Sequence, residues 1–443
     1  MGDDDARAKR IRLEEEPRHQ ELPHGGDGGG AGAPDLISRL PDEVLGDIIT
    51  LIPTMDGALT LAVSRRWRPL WHAAPLNLEV GYGLCTQNAK HAVLATKILA
   101  RHAGPGRRFA LPGFRLRDRL AMVDGWLRSR ALTDLREIMF SYSPENCWLP
   151  QPPMPPSALR FAATLCVARF GSCGFPNVVA PSLKFPHLKE LSLMEVTISE
   201  DALHSLLAGC LVLEILLLEY NVGIGRLRIS SPTLRSIGFC GPWEEEGSEA
   251  TKFQELVVED APRLERLLPL NLKRGPATIR VMRAPKLETV GLLSAAISKL
   301  EFGTTAFQEM IALSLGTSMA TVKFNRLKTM KNARIYNPLD PIECLELHLK
   351  KVAVNDYRGM RSDVDFAKFF VLNAKVYFGV VPSCSDKWMA NQRRRLQVDN
   401  KASPGARFAF ARGAGNSLPK FLKDDPFDWN DMGDFLRFAR ILD

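Results

Sequence analysis

From about residue 160 an apolar spacing recurs along the chain, and few folds accommodate it. Leu188-x-x-Leu191-x-Leu193-x-x-Val196-x-Ile198 is followed by Leu213-x-x-Leu216-x-Leu218-x-x-Asn221, and later by Leu287-x-x-Val290-x-Leu292-x-x-Ala295-x-Ile297. Weaker copies begin at Ala162 and Leu234. Intervals of roughly 20–30 residues are those of a leucine-rich repeat. One such unit cannot bury its own apolar side, so copies must stack, with parallel strands in a row and a shared core. A second pattern is nested in the first. Leu227-x-Ile229 leads to Pro232-x-Leu234, Leu256-x-Val258 to Pro262-x-Leu264, and Ile279-x-Val281 to Pro285-x-Leu287. Each reads as a short strand, a proline turn and a return to apolar sequence. The spacing leaves open which segment lines the concave face. The fold class expected is α/β: a small helical unit, then an irregular solenoid of parallel strands with helices and loops, closed by a mixed α/β C-terminal cap.

The helical unit is at 35–75. Val44, Leu45, Ile48, Ile49, Leu51 and Ile52 form a wide apolar helical stripe, with Asp42, Glu43 and Asp47 on other faces. Pro41 suits a first helical position and Pro53 stops the helix. Asp56-Gly57 marks a turn, Ala58 to Val63 a short second helix, and Arg65 to Leu70 a third, capped by Ser64 and shortened or kinked by Pro69.

Elsewhere, residues 1–34 read as a disordered tail, with acidic triplets and a glycine run at 25–32. Its cluster Arg7-Ala8-Lys9-Arg10-Ile11-Arg12 has the form of an import signal or of solvating charge in a tail, so nucleus and/or cytoplasm is the expected localisation. No apolar leader follows Met1 and no run is long enough to span a bilayer, so no membrane partner is expected. Residues 76–156 read as a linker with the first irregular repeats. They include helices at Ala89–Arg101 (Val93, Leu94, Lys97 and Ile98 at helical offsets) and Asp118–Ser129, a strand at Leu135–Phe140 and a proline-rich break at 150–156. The repeat region is expected over 157–335 and the cap over 336–443. Within the cap, Leu345 to Leu349 alternates as a strand, and Val364–Ala374 and 435–442 are amphipathic.

No pattern for catalysis is present. The eight cysteines form no Cys-x-x-Cys pair, the eight histidines no His-Glu-x-x-His, and Gly-x-Ser-x-Gly and phosphate-loop motifs are missing. No cofactor and no metal are expected. The formal charge is +8, and eight arginines crowd 101–130 against Asp118 and Asp124. A second basic stretch includes Lys387 and Arg393 to Arg395. Such runs are more often solvated faces than phosphate sites, which leaves nucleic-acid or polyanion binding as an alternative.

Leu40-Pro41-Asp42-Glu43-Val44-Leu45-x-x-Ile48-Ile49 and Val63-Ser64-Arg65-Arg66-Trp67-Arg68-Pro69-Leu70-Trp71 together resemble an F-box. With the proline-leucine units and the stretch Ile342 to Val380, the chain resembles plant F-box/LRR/FBD proteins. Around Ala374 to Gly379 it runs a few residues shorter than that pattern. The resemblance implies a non-catalytic substrate receptor of an SCF-type ubiquitin ligase. Its F-box would dock a Skp-family adaptor, and through it a cullin and a RING subunit. The repeats would hold an unidentified protein target near the conjugating enzyme. The implied docking residues are Leu40, Pro41, Val44, Leu45, Ile48, Ile49, Val63, Trp67, Leu70 and Trp71, and the alternative for some of them is only to hold the three helices together. A repeat scaffold without ligase activity is the other alternative.

Overall fold

A computed structural model describes residues 36–52, 57, 64–79, 88–114, 120–142, 151–242, 252–271, 274–293, 297–303, 305–308, 351–355, 359, 364, 367–368, 377–381, 386–397 and 408–410. The expected tail at 1–34, second helix at 58–63, strand at Leu345–Leu349 and amphipathic end at 435–442 lie outside these residues. Within Val364–Ala374, positions 364, 367 and 368 are described, and all three are helical.

The chain opens with α1 (Asp42–Leu51) and α2 (Trp67–Ala73). Pro41 is the residue before α1 rather than its first residue, and its carbonyl accepts from the Leu45 N–H at 3.1 Å. Ile52 turns extended (ψ 150) because a residue followed by proline is pushed out of the helical region. Pro69 does not end α2. It sits in the first turn of α2, where an N–H has no intrahelical partner to lose, and the helix continues to Ala73.

Parallel strands then stack into a solenoid. One sheet takes β1 (Leu76–Glu79), β2 (Gly106–Phe114), β3 (Glu137–Tyr142), β4 (Val167–Gly171), β5 (Glu190–Met194) and β6 (Ile215–Glu219) in chain order. After β6 the chain alternates between this sheet and a second one. The second takes β7 (Arg226–Ser230), β9 (Glu255–Asp260), β11 (Thr278–Val281), β13 (Lys299–Phe302) and β14 (Thr305–Gln308). The first continues through β8 (Ser236–Phe239), β10 (Arg266–Pro269), β12 (Thr289–Leu293), β15 (Lys351–Asn355), β16 (Tyr377–Val381) and β17 (Phe408–Phe410). The two nested sequence patterns are therefore two sheets of one coil. Leu188, Leu213 and Leu287 precede strands of the first, while Leu227, Leu256 and Ile279 lie within strands of the second.

Register explains the leucines. Leu78, Phe109, Ile138, Ala168, Leu191, Leu216, Ile237, Leu267 and Val290 pair from strand to strand in one unbroken row, and all are buried. Each apolar side chain meets its counterpart one coil on. In β5, β6 and β8 the intervening positions are buried as well, as expected for parallel strands covered on both faces. β7 instead alternates exposed and buried.

The side of the coil opposite the first sheet changes along the chain. Up to residue 208 it holds α3 (Asn88–Arg101), α4 (Leu120–Leu127), short 3-10 turns and α5 (Glu200–Ala208). From residue 226 it holds the second sheet. The switch leaves one edge of β7 facing α5, and side chains of α5 satisfy it. The Arg226 N–H donates to Glu200 Oε2 at 2.8 Å, and the Arg228 N–H donates to His204 Nε2 at 3.0 Å. A last helix, α6 (Asp386–Arg395), carries Arg393 to Arg395 in its final turn.

The inward face of α3 differs from expectation. Ala92, Ala95, Ile98 and Leu99 are buried, while Val93, Leu94 and Lys97 face outward. Two alanines in the contact row let the helix lie close to the coil, where Thr96 Oγ1 accepts from Trp126 Nε1 at 2.9 Å.

Candidate functional site

Burial divides the ten residues singled out in the sequence. Leu45 and Ile49 point inward from α1, and Trp71 is buried on α2. Trp67 and Leu70 are half-buried and pack against the core. Leu40 is half-buried and Pro41 exposed. Val44 and Ile48 keep 40% and 38% of their surface. Val63 lies outside the described residues. Val44, Ile48 and Leu51 follow i, i+4, i+7 and so share one stripe of α1, with Leu51 exposed to 77%. Leu36 and Ile37, in the 3-10 turn before α1, are exposed to 65% and 56%. Leu36, Ile37 and Leu51 were not singled out from sequence. The signal for Leu51 was present, seven residues after Val44, but periodicity cannot say which side of a wide stripe faces out.

The inward residues join this unit to the first coil. The Trp71 ring meets His102 edge-on, with centroids 5.2 Å apart, and Gly57 lies so close that an added Cβ would fall 2.9 Å from Trp71 Nε1. His102 Nε2 donates to the Ala74 carbonyl at 2.9 Å, the Gly104 N–H donates to the His72 carbonyl at 2.9 Å, and the Asn77 amide donates to the Thr50 carbonyl. His102 Nδ1 is buried with no hydrogen-bond partner. Burial pulls the His102 pKa below its ordinary 6.5, against the raising effect of the Ala74 bond, and neighbouring His72 lowers it further.

The solenoid surface is charged and internally paired. On the second sheet Arg280 bonds Glu301 and stands 3.5 Å from Glu255, which also faces Arg226 at 3.9 Å. Burial raises the Glu301 pKa, but hydrogen bonds from Lys299 and Arg280 outweigh it and hold the carboxyl below its usual value. The basic run of 101–130 is dispersed and partly neutralised. Arg108 stands 4.0 Å from both Glu79 and Glu137, and Arg128 pairs with Asp124 at 2.5 Å. Arg115, Arg117 and Arg119 lie outside the described residues.

The described cysteines Cys173, Cys210 and Cys240 are buried. Burial pushes the Cys173 and Cys210 thiols up to about 12, and the Cys240 thiol upward too, the reverse of what a nucleophile needs. Among the described residues no group of three or more His, Cys, Asp or Glu is placed to hold a metal ion, and no helix is long and apolar enough to cross a membrane.

Comparison with known proteins bears on the whole arrangement. Residues 123–336 match the family model for the LRR repeats of FBD-associated F-box protein At5g56370, and residues 337–376 match the FBD model. The two matches adjoin and together cover more than half of the chain. The chain belongs to the F-box/FBD/LRR-repeat family. Both matches lie C-terminal to the F-box helices. Named relatives from Arabidopsis thaliana extend the likeness. F-box/FBD/LRR-repeat protein At3g26920 is 23% identical over 80% of this chain and 91% of its own. FBD-associated F-box protein At5g60610 is 32% identical over 47% of this chain and 53% of its own. F-box/FBD/LRR-repeat protein At1g13570 is 24% identical over 52% and 53%. The chain thus spans about half the length of the last two relatives and most of the first. In this F-box/FBD/LRR-repeat chain the F-box helices and the repeats share one hydrophobic core, since Ile49 and Trp71 belong to the same buried cluster as Leu191 and Leu267.

Proposed function

We propose that this protein is the substrate-recognition subunit of an SCF-type ubiquitin ligase. Its F-box helices dock a Skp-family adaptor, and its repeats hold a protein target. The observation that carries this reading is the outward stripe of Val44, Ile48 and Leu51, continued by Leu36 and Ile37, on helices that otherwise bury their apolar side. Exposed apolar side chains clustered on so small a unit suit a protein interface. The subunit makes and breaks no bonds itself. It raises the local concentration of target lysines at the conjugating enzyme. Within the set proposed from sequence, Pro41, Val44 and Ile48 touch the adaptor, while Ile49 and Trp71 hold the helices on the solenoid and Leu45 is buried within the helical unit. Co-purification with a Skp-family adaptor tests the proposal. Wild type should bind, and Val44→Asp/Ile48→Asp should lose binding by roughly a hundredfold or more, with unchanged circular dichroism. A folded double mutant that binds like wild type would remove this surface from consideration. Absence of binding by wild type would favour a repeat scaffold outside the ligase.

A further inference from the structure

We infer that Arg66 is a positioning residue of the adaptor-docking stripe, tying the entry of α1 to the entry of α2. The inference rests on the docking role proposed above. Arg66 Nε donates to Asp42 Oδ1 at 2.7 Å, and Nη2 donates to the Leu40 carbonyl at 2.6 Å. These acceptors bracket Pro41. As the residue before α1, Pro41 supplies no capping side chain, so the entry of α1 has no local lock of that kind. Arg66 immediately precedes α2, which packs on the solenoid through Trp71. Two bonds from one guanidinium therefore refer the first turn of α1 to a helix that the core already fixes. Val44 is two residues beyond Asp42, so the pitch of the outward stripe is set at this point.

The chemistry favours a planar fork. A carboxylate and a carbonyl two residues apart are reached together by a guanidinium, whereas an ammonium is a single point charge. Arg66 and Asp42 retain 38% and 59% of their side-chain exposure, so the pair adds little to global stability. Loss of the bonds should therefore appear as weaker docking of a folded chain, because the adaptor must then order the α1 entry itself.

The test uses the full chain and a purified plant Skp-family adaptor. Dissociation constants are measured for wild type, Arg66→Ala, Arg66→Lys, Asp42→Ala and the Arg66→Ala/Asp42→Ala double mutant. Amide exchange is followed at Leu45 and in β5 and β6. Arg66→Ala and Arg66→Lys should each bind roughly tenfold more weakly. The double mutant should be no weaker than Arg66→Ala alone. Exchange should quicken at Leu45 in the free chain and stay unchanged in β5 and β6. Full affinity in Arg66→Lys would overturn the inference, since charge alone would then suffice. So would additive losses in the double mutant, or an exchange increase reaching β5 and β6 in both Arg66 variants. Wild type that binds no adaptor would sink the docking reading and this inference together, whereas a tight wild type beside a tight Arg66→Lys sinks the inference alone.

Discussion

Asn221 is a buried side chain that ties successive coils together. Its Oδ1 accepts from the Val196 N–H at 2.9 Å and its Nδ2 donates to the Leu193 carbonyl at 2.9 Å. Replacing it by alanine leaves a buried N–H and a buried carbonyl short of a partner. Asn221→Ala should cost about 2–4 kcal/mol in denaturant-induced unfolding, near the sum of two unmade bonds. Its polar place in the repeat was legible because the spacing after Leu213, Leu216 and Leu218 demanded it. The neighbouring turn was not legible. Ser172, Glu195 and Tyr220 each follow a strand directly and hold φ of 48°, 54° and 53°. A left-handed position is announced in sequence by glycine, and here three other residue types adopt it because stacked backbone bonds fix each corner. His102 was equally silent, a lone histidine until the fold set it between Ala74 and Trp71. Its pKa is depressed, so folding carries no protonation penalty above pH 6.5, and a penalty grows as the pH falls below that. The melting temperature of wild type should therefore drop more between pH 7.5 and pH 5 than that of His102→Gln. Parallel curves would show that His102 titrates alike in the folded and unfolded chain.

Among the elements, α1 separates holding from presenting. Leu45→Ala removes a fully buried side chain and should destabilise the F-box helices by about 2–4 kcal/mol. Leu51→Asp alters an exposed position and should leave the melting temperature within a degree or two while weakening adaptor binding. Thermal melts beside adaptor titrations distinguish the two effects. The sequence established that α1 is a helix and that it is amphipathic, because proline and charge mark its ends. It did not establish the inward side, since six apolar residues within nine positions cover nearly half the helix. α3 shows the same limit. Val93 and Leu94 are the larger side chains, yet Ala92 and Ala95 face the core, because the distance between helix and strand selects for size as well as hydropathy. The two sheets were hidden for a related reason. Leu-x-Leu reads alike in either, and only the alternation of the chain between the two sheets separates β8 from β9. At β7 the cap from α5 gives a further prediction. His204→Ala should free the Arg228 N–H and cost about 1 kcal/mol, with faster exchange at Arg228 and no change in β5.

Across the whole molecule, one buried cluster runs from Ile49 in α1 to Leu396 after α6. The F-box is therefore built onto the solenoid, and the His102–Ala74 and Asn77–Thr50 bonds continue the stacking of coils into it. Repeat arrays of this kind derive stability from each coil's neighbours, so damage in one coil spreads to those beside it. The family was legible from short motifs, because an F-box and a leucine repeat each depend on a few spaced apolar residues. A binding face on the solenoid was not legible, because on a paired, charged surface every arginine and glutamate reads alike until its partner is known. The step at β7 finally gives the chain a direction of assembly. Glu200 and His204 supply acceptors to a strand that is made after them. Synthesis from the N-terminus thus completes the template before the strand that needs it leaves the ribosome, and the second sheet grows outward from a protected edge. A fragment beginning at Arg226 would have to start that sheet with bare backbone donors. It should aggregate on expression, whereas co-expression with residues 1–225 should return it to the soluble fraction. A fragment from Arg226 that is soluble and monomeric by light scattering would show that the second sheet needs no template.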